Sequence, residues 1–171
     1  MINVENIPFS FLYEVPKATL HKENIIKLIQ KIPENKFNEI SHTDINLPTG
    51  FKREYYEYFI ENVYNNFEKE FSNHTRENLV LQNAWFQWYN KDDYHPWHVH
   101  PCCHFTSIYF LNHEDKSLTT KIKFLNKEYL IEVGEGQIIT MPAFFVHQSP
   151  LNKNNAPKII ISFNTSIKGR D

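Results

Sequence analysis

The chain has 171 residues, of which 41% are hydrophobic and 15% aromatic, enough to bury the core of one domain and too many for a disordered chain. Its 18 basic and 20 acidic residues leave a formal net charge of −2 and are scattered rather than clustered, so nucleic acid has no electrostatic advantage as a partner. The 2 cysteines are neighbours, Cys102 and Cys103, which excludes a disulfide framework and suits a reducing compartment.

The N-terminus has no basic stretch followed by an apolar core, so no signal peptide is expected. No apolar run approaches the ~20 residues that span a bilayer. A cytoplasmic protein without a membrane partner is the expectation. Phe9, Phe11, Tyr13 and Val15 alternate with polar residues and predict an opening strand, stopped by Pro16. Thr19 is a candidate cap for a helix carrying Ile25, Leu28, Ile29 and Ile32 on one face and ending before Pro33. Residues 34–51 hold few periodic apolar positions and read as loop. A second helix is predicted from about Arg53 to Phe71, with Tyr56, Ile60, Val63, Phe67 and Phe71 as its buried stripe.

From Leu79 the periodicity changes to two. Leu79 to Tyr89 and His104 to Leu111 read as strands. Thr119 to Leu125 and Glu128 to Val133 form a hairpin turning at Asn126-Lys127, and Gly134-Glu135-Gly136 makes another turn. Gln137 to Met141, Phe145 to Ser149 and Lys158 to Ile167 complete the set. Helices followed by many short strands predict one α+β, mainly β domain over residues 1–171. Its helical part (1–75) packs on one sheet of a jelly-roll or cupin-like barrel (79–167).

The chemistry concentrates at His98-Val99-His100-Pro101 and at His147. Histidines at i and i+2 share one face of a strand, and a distant third joins them only if the sheet folds back. Three imidazoles on a rolled sheet make a facial metal site with open positions. A single histidine in a strand is more often a surface or satisfied core residue, so the pair carries the argument. His95 and His104 flank the pair and read as supporting or surface groups. A zinc site built from His98, His100, Cys102, Cys103 and His104 is the competing assignment. It lacks the second ligand pair that structural zinc prefers. Lys158 shares its strand face with Ile160, Ser162 and Asn164, either as a surface charge or as a cation inside the barrel that binds a carboxylate. Tyr109 reads either as a core aromatic or as a hydroxyl donor to that carboxylate.

The order of these features resembles the 2-oxoglutarate/Fe(II)-dependent oxygenases of the small bacterial and phage type. The similarity rests on Trp85, His98-Val99-His100-Pro101, Thr106-Ser107-Ile108-Tyr109-Phe110-Leu111, Gly136-Gln137-Ile138-Ile139-Thr140-Met141-Pro142, His147, Pro150 and Ile161-Ser162-Phe163-Asn164, about the last half of the chain. The resemblance implies a double-stranded β-helix with Fe(II) held by His98, His100 and His147. It further implies that 2-oxoglutarate chelates the metal through its C1 carboxylate and keto oxygen. Its C5 carboxylate would be held by Lys158 with Tyr109 and Ser162, and a substrate would be hydroxylated with release of succinate and CO2.

Two positions depart from the pattern. His100 stands where most relatives carry a carboxylate. Lys158 and Ile160 stand where relatives carry Arg and Ser, and lysine offers a point charge without the bidentate fork. These departures keep open a cupin-like three-His metalloenzyme that uses no oxo-acid, and a non-catalytic ligand-binding barrel. The substrate, a small molecule or a protein, is not encoded in any motif, and a homodimer is compatible with the sequence. Residues 34–51 and 90–97 are the expected selectivity loops, with Trp88, Tyr94 and Trp97 as candidates for a ring-lined mouth.

Overall fold

The computed structural model describes residues 1–37, 40–48 and 50–169. In chain order the strands and helices are β1 (Ile2–Asn3), β2 (Phe11–Glu14), α1 (Ala18–Ile29), β3 (Lys36–Phe37), β4 (Ser41–Thr43), α2 (Glu54–Phe59), α3 (Asn65–Thr75), β5 (Leu79–Tyr89), β6 (His95–His98), β7 (Phe105–Asn112), β8 (Lys121–Phe124), β9 (Lys127–Glu132), β10 (Gln137–Pro142), β11 (His147–Ser149) and β12 (Lys158–Ile167). Among the described residues, the strands form a five-stranded sheet in the order β1-β9-β8-β11-β6. A seven-stranded sheet runs β2-β10-β7-β12-β5-β4-β3. This is the expected two-sheet double-stranded β-helix with helices on one face. No described helix is long and apolar enough to cross a membrane.

Period-two alternation in the large sheet sorts its side chains between two cores. Tyr109, Leu111, Ile138, Ile159, Ile161 and Phe163 face the helices and pack against Ile25, Ile29, Phe59 and Phe67. Ile108, Phe110, Ile139, Met141 and Ile160 face the small sheet, where they meet Ile122 and Ile131. Phe163 holds the helical layer through tilted and edge-on rings, at 5.4 Å from both Phe59 and Phe67.

The predicted helix over residues 53–71 is interrupted. A π-helical stretch at Ile60–Tyr64 joins α2 to α3, and the buried stripe is Tyr55, Phe59, Val63, Phe67 and Phe71 rather than one containing Tyr56 and Ile60. A spacing of four overshoots a full turn by about 40° per step in an ideal helix. The π stretch takes up that drift and keeps every fourth residue on the sheet. The first helix begins at Ala18, after Lys17 in a left-handed conformation, so Thr19 lies inside it and caps nothing.

The N-terminal part is not purely helical, since β1 and β2 join the two sheets. The stretch 34–51, expected to be loop, contributes β3 and β4, with positions 38, 39 and 49 outside the described residues. A tertiary network orders it. The wholly buried Asp44 carboxylate accepts from Tyr55 Oη at 2.5 Å and from the Phe86 N–H at 3.0 Å, and pairs with Arg53 at 3.3 Å. Hydrophobic periodicity carries no sign of such a polar anchor. The β8–β9 hairpin turns one residue earlier than predicted, at Leu125-Asn126. Both residues have positive φ, as a two-residue primed turn requires.

Candidate functional site

Strands β6 and β11 are antiparallel neighbours, and His98 stands directly opposite His147. The segment 90–97, expected as loop, thus supplies most of β6. The ladder ends at His98. His100 is instead tied down through its backbone N–H, which donates to the Ala143 carbonyl at 3.0 Å. Ring nitrogens of His98, His100 and His147 all lie within 4.8 Å of one another. Among the described residues this is the one group of three or more His, Cys, Asp or Glu side chains spaced for a metal ion. The crowded zinc alternative is therefore corrected. Cys102 is exposed, Cys103 half-buried and His104 exposed, and His104 Nδ1 instead accepts the Ile167 N–H at 3.0 Å.

The ring tautomers are set locally. His98 Nδ1 lies 2.8 Å from the Pro96 carbonyl, and His147 Nδ1 lies 2.8 Å from the Phe145 carbonyl. A carbonyl only accepts, so each Nδ1 carries the proton and each Nε2 keeps its lone pair. Burial, followed by mutual repulsion among the imidazoles, holds His147 well below the ordinary histidine range and His100 down at about 4. Burial lowers His98 as well, with its bond to Pro96 acting the other way. The rings are neutral near pH 7, the form in which imidazole binds metal. Trp85 stacks on His100 at 5.7 Å and 19°.

A cavity of about 360 Å³ opens beside the three rings, with Trp85, Gln87, Tyr89, Ser149, Ser162 and Asn164 in its walls. Among the described residues no carboxylate, lysine or arginine lines it. Trp88, Tyr94 and Trp97 are not in its walls; Trp88 packs on the helical core and Trp97 lies 4.4 Å beneath Lys123 Nζ.

Lys158 opens β12 directly opposite Tyr89 and is 2% exposed. Its Nζ donates to the Leu118 carbonyl at 2.7 Å and to Ser149 Oγ at 2.9 Å, with the rings of Tyr89 and Phe110 alongside. Among the described residues no carboxylate pairs with it. Burial pushes its pKa down to about 7. The hydroxyl on Lys158 is thus that of Ser149, while Ser162 stands in the cavity wall across the strands from Trp85. Ser149 escaped the sequence reading, although the period-two rule that links His98 to His100 also links His147 to Ser149.

Tyr109 needs correction. It belongs to the opposite face of β7, stacked on Phe59 at 6.4 Å, with its hydroxyl buried and unpartnered on the helical side. It points away from the cavity because its parity is that of Leu111, not of Ile108.

An oxidoreductase of the 2OG-Fe(II) oxygenase family from Burkholderia pseudomallei superposes with a TM-score of 0.72 at 13% identity, covering 92% of this chain and 84% of its own. A Pseudomonas putida prolyl-4-hydroxylase gives 0.65 at 10% identity, with 94% and 93% covered. The viral collagen prolyl hydroxylase of Paramecium Bursaria Chlorella virus-1 gives 0.63 at 14% identity, with 95% and 98% covered. The fold is that of the 2OG-Fe(II) oxygenases. No protein-family model matches the chain, and no curated protein matches it in sequence. On this shared fold the present chain carries a three-histidine group, with His147 buried and His98 and His100 half-buried.

Proposed function

We propose that the protein is an Fe(II)- and 2-oxoglutarate-dependent oxygenase that hydroxylates a small-molecule or protein substrate. The observation that carries this reading is a preorganised three-histidine group in a cavity whose wall residue Ser149 accepts from a buried cation without a carboxylate partner, Lys158. His98, His100 and His147 fit a divalent metal, because neutral imidazoles with oriented Nε2 atoms are ready-made ligands. Lys158 fits the distal carboxylate of a dicarboxylate, because a buried ammonium without a counter-charge gains most from an anion. When bound, iron and 2-oxoglutarate would supply oxidative decarboxylation to succinate and CO2 coupled to substrate hydroxylation.

The chain's own residues bind, orient and shield. Ser149 and the Leu118 carbonyl aim Nζ. Trp85 braces His100, and Ile108 and Ile160 keep one wall apolar. Ser162 is a further hydroxyl within reach of a cavity ligand. The absence of a carboxylate from the histidine set favours a second reading, a three-His metalloenzyme without an oxo-acid. Lys158 has no task in that reading.

The test is anaerobic reconstitution with Fe(II), followed by titration calorimetry with 2-oxoglutarate and a succinate assay in air. Expected are one metal per chain, 2-oxoglutarate binding that needs the metal, and slow succinate release that disappears in His147→Ala. Stoichiometric metal without 2-oxoglutarate binding transfers the protein to the second reading. Full metal retention in His98→Ala and His147→Ala overturns both.

A further inference from the structure

A fourth histidine stands in the cavity wall. The His95 ring centroid is 4.1 Å from that of His98, yet His95 lies outside the group spaced for metal. Its backbone position is directly opposite Ser149, the residue that holds Lys158. It therefore stands in the cavity wall beside both the three histidines and Ser149.

We propose that His95 is a binding residue of this cavity, a neutral Nε2–H donor to the oxo-acid, whose tautomer is set by a hydrogen-bond chain starting at Tyr89. The polarity of the chain follows from the Gln87 amide, whose oxygen only accepts and whose nitrogen only donates. Tyr89 Oη donates to Gln87 Oε1 at 2.5 Å. With its oxygen occupied, the Gln87 amide presents N–H to His95 Nδ1 at 2.9 Å. Nδ1 accepts, so the proton of the neutral ring sits on Nε2. Tyr89 is 1% and Gln87 8% exposed, which leaves little room for water to substitute for either bond.

A dicarboxylate has more lone pairs than one ammonium satisfies. His95 adds a donor without adding a charge, and a bond to a carboxylate is of the stronger, charge-assisted kind. The ligand named here rests on the oxygenase reading; the hydrogen-bond chain does not. Gln87 and Tyr89 are positioning residues that act through His95.

Two measurements on the Zn(II)-loaded full chain test the proposal. Long-range ¹H–¹⁵N correlation on ¹⁵N-histidine-labelled protein reads the tautomer directly. His95 is expected to carry its proton on Nε2 in the wild type and to show mixed or Nδ1 protonation in Gln87→Met and in Tyr89→Phe. Protonation of Nδ1 in the wild type overturns the chain. Calorimetry with 2-oxoglutarate reads the binding role. His95→Ala is expected to weaken binding about tenfold at unchanged metal stoichiometry, and His95→Gln, which restores an N–H donor, to recover most of it. Equal affinity in wild type and His95→Ala overturns the binding role and leaves the oxygenase reading standing. No binding to the wild type overturns both the ligand and that reading, whatever the tautomer.

Discussion

Lys158→Met separates a lysine kept for ligand binding from one kept for structure. In the unfolded chain a lysine holds its proton up to about pH 10.4, whereas burial lowers Lys158 to about 7 in the folded protein. The unfolded state therefore binds more protons between those values, and stability must rise with pH across that window. At pH 7 this difference in proton affinity places the cost at ~4 kcal/mol, falling to roughly 1–2 kcal/mol at about pH 9.5. Methionine removes this cost but leaves the Leu118 carbonyl and the Ser149 hydroxyl short of a donor, at about 1–3 kcal/mol each. The two effects are of similar size, so the apo variant is expected to be about as stable as the wild type at pH 7. Urea unfolding at pH 7 and 9.5 is the assay. The wild type is expected to gain roughly 3 kcal/mol more than the variant between the two values. Calorimetry on the same variant should show 2-oxoglutarate binding weakened at least tenfold. A variant that loses several kcal/mol at pH 7 and keeps the wild-type pH slope would refute the reasoning, because Lys158 would then be a structural donor without a charge to place.

Three further outcomes are expected. The apo protein should lose stability as pH falls from about 6.5 toward 4, because the unfolded chain protonates its histidines while burial holds His100 and His113 down to about 4. Each contributes about 1.4 kcal/mol of loss by pH 5.5, and a bound metal ion should shift the acid midpoint of a circular-dichroism titration lower. Tyr109→Phe should leave 2-oxoglutarate affinity unchanged and match or slightly exceed wild-type stability, since the lost hydroxyl has no partner; weakened binding by calorimetry would restore Tyr109 to the cavity. Gly136→Ala should cost about 1–3 kcal/mol in urea, because Gly136 has φ of 83° and an added Cβ would stand 2.8 Å from the Ala18 Cβ; an unchanged midpoint would contradict that contact.

Strand period, turn residues and the helical stripes determined the α+β layout, the jelly-roll arrangement and the extents of β5 and β12, because these are local patterns of burial. The His98, His100 and His147 group was legible for a related reason: the i, i+2 pair and a histidine late in the β region need only a sheet that folds back. Parity also brought Lys158 and Ser162 to the cavity side of β12, yet it did not separate the two faces of β7, where Tyr109 turned out to serve the helical core. What only the tertiary structure decided is polar and long-range. Asp44 orders residues of a stretch that reads as loop, through groups 11 and 42 positions away. The chain from Tyr89 through Gln87 to His95 joins one strand of each sheet. Hydrophobic periodicity reports which side of an element is buried. It carries no record of which buried polar groups meet across the core, and in this protein those meetings set the tautomer of His95 and leave Lys158 without a counter-charge.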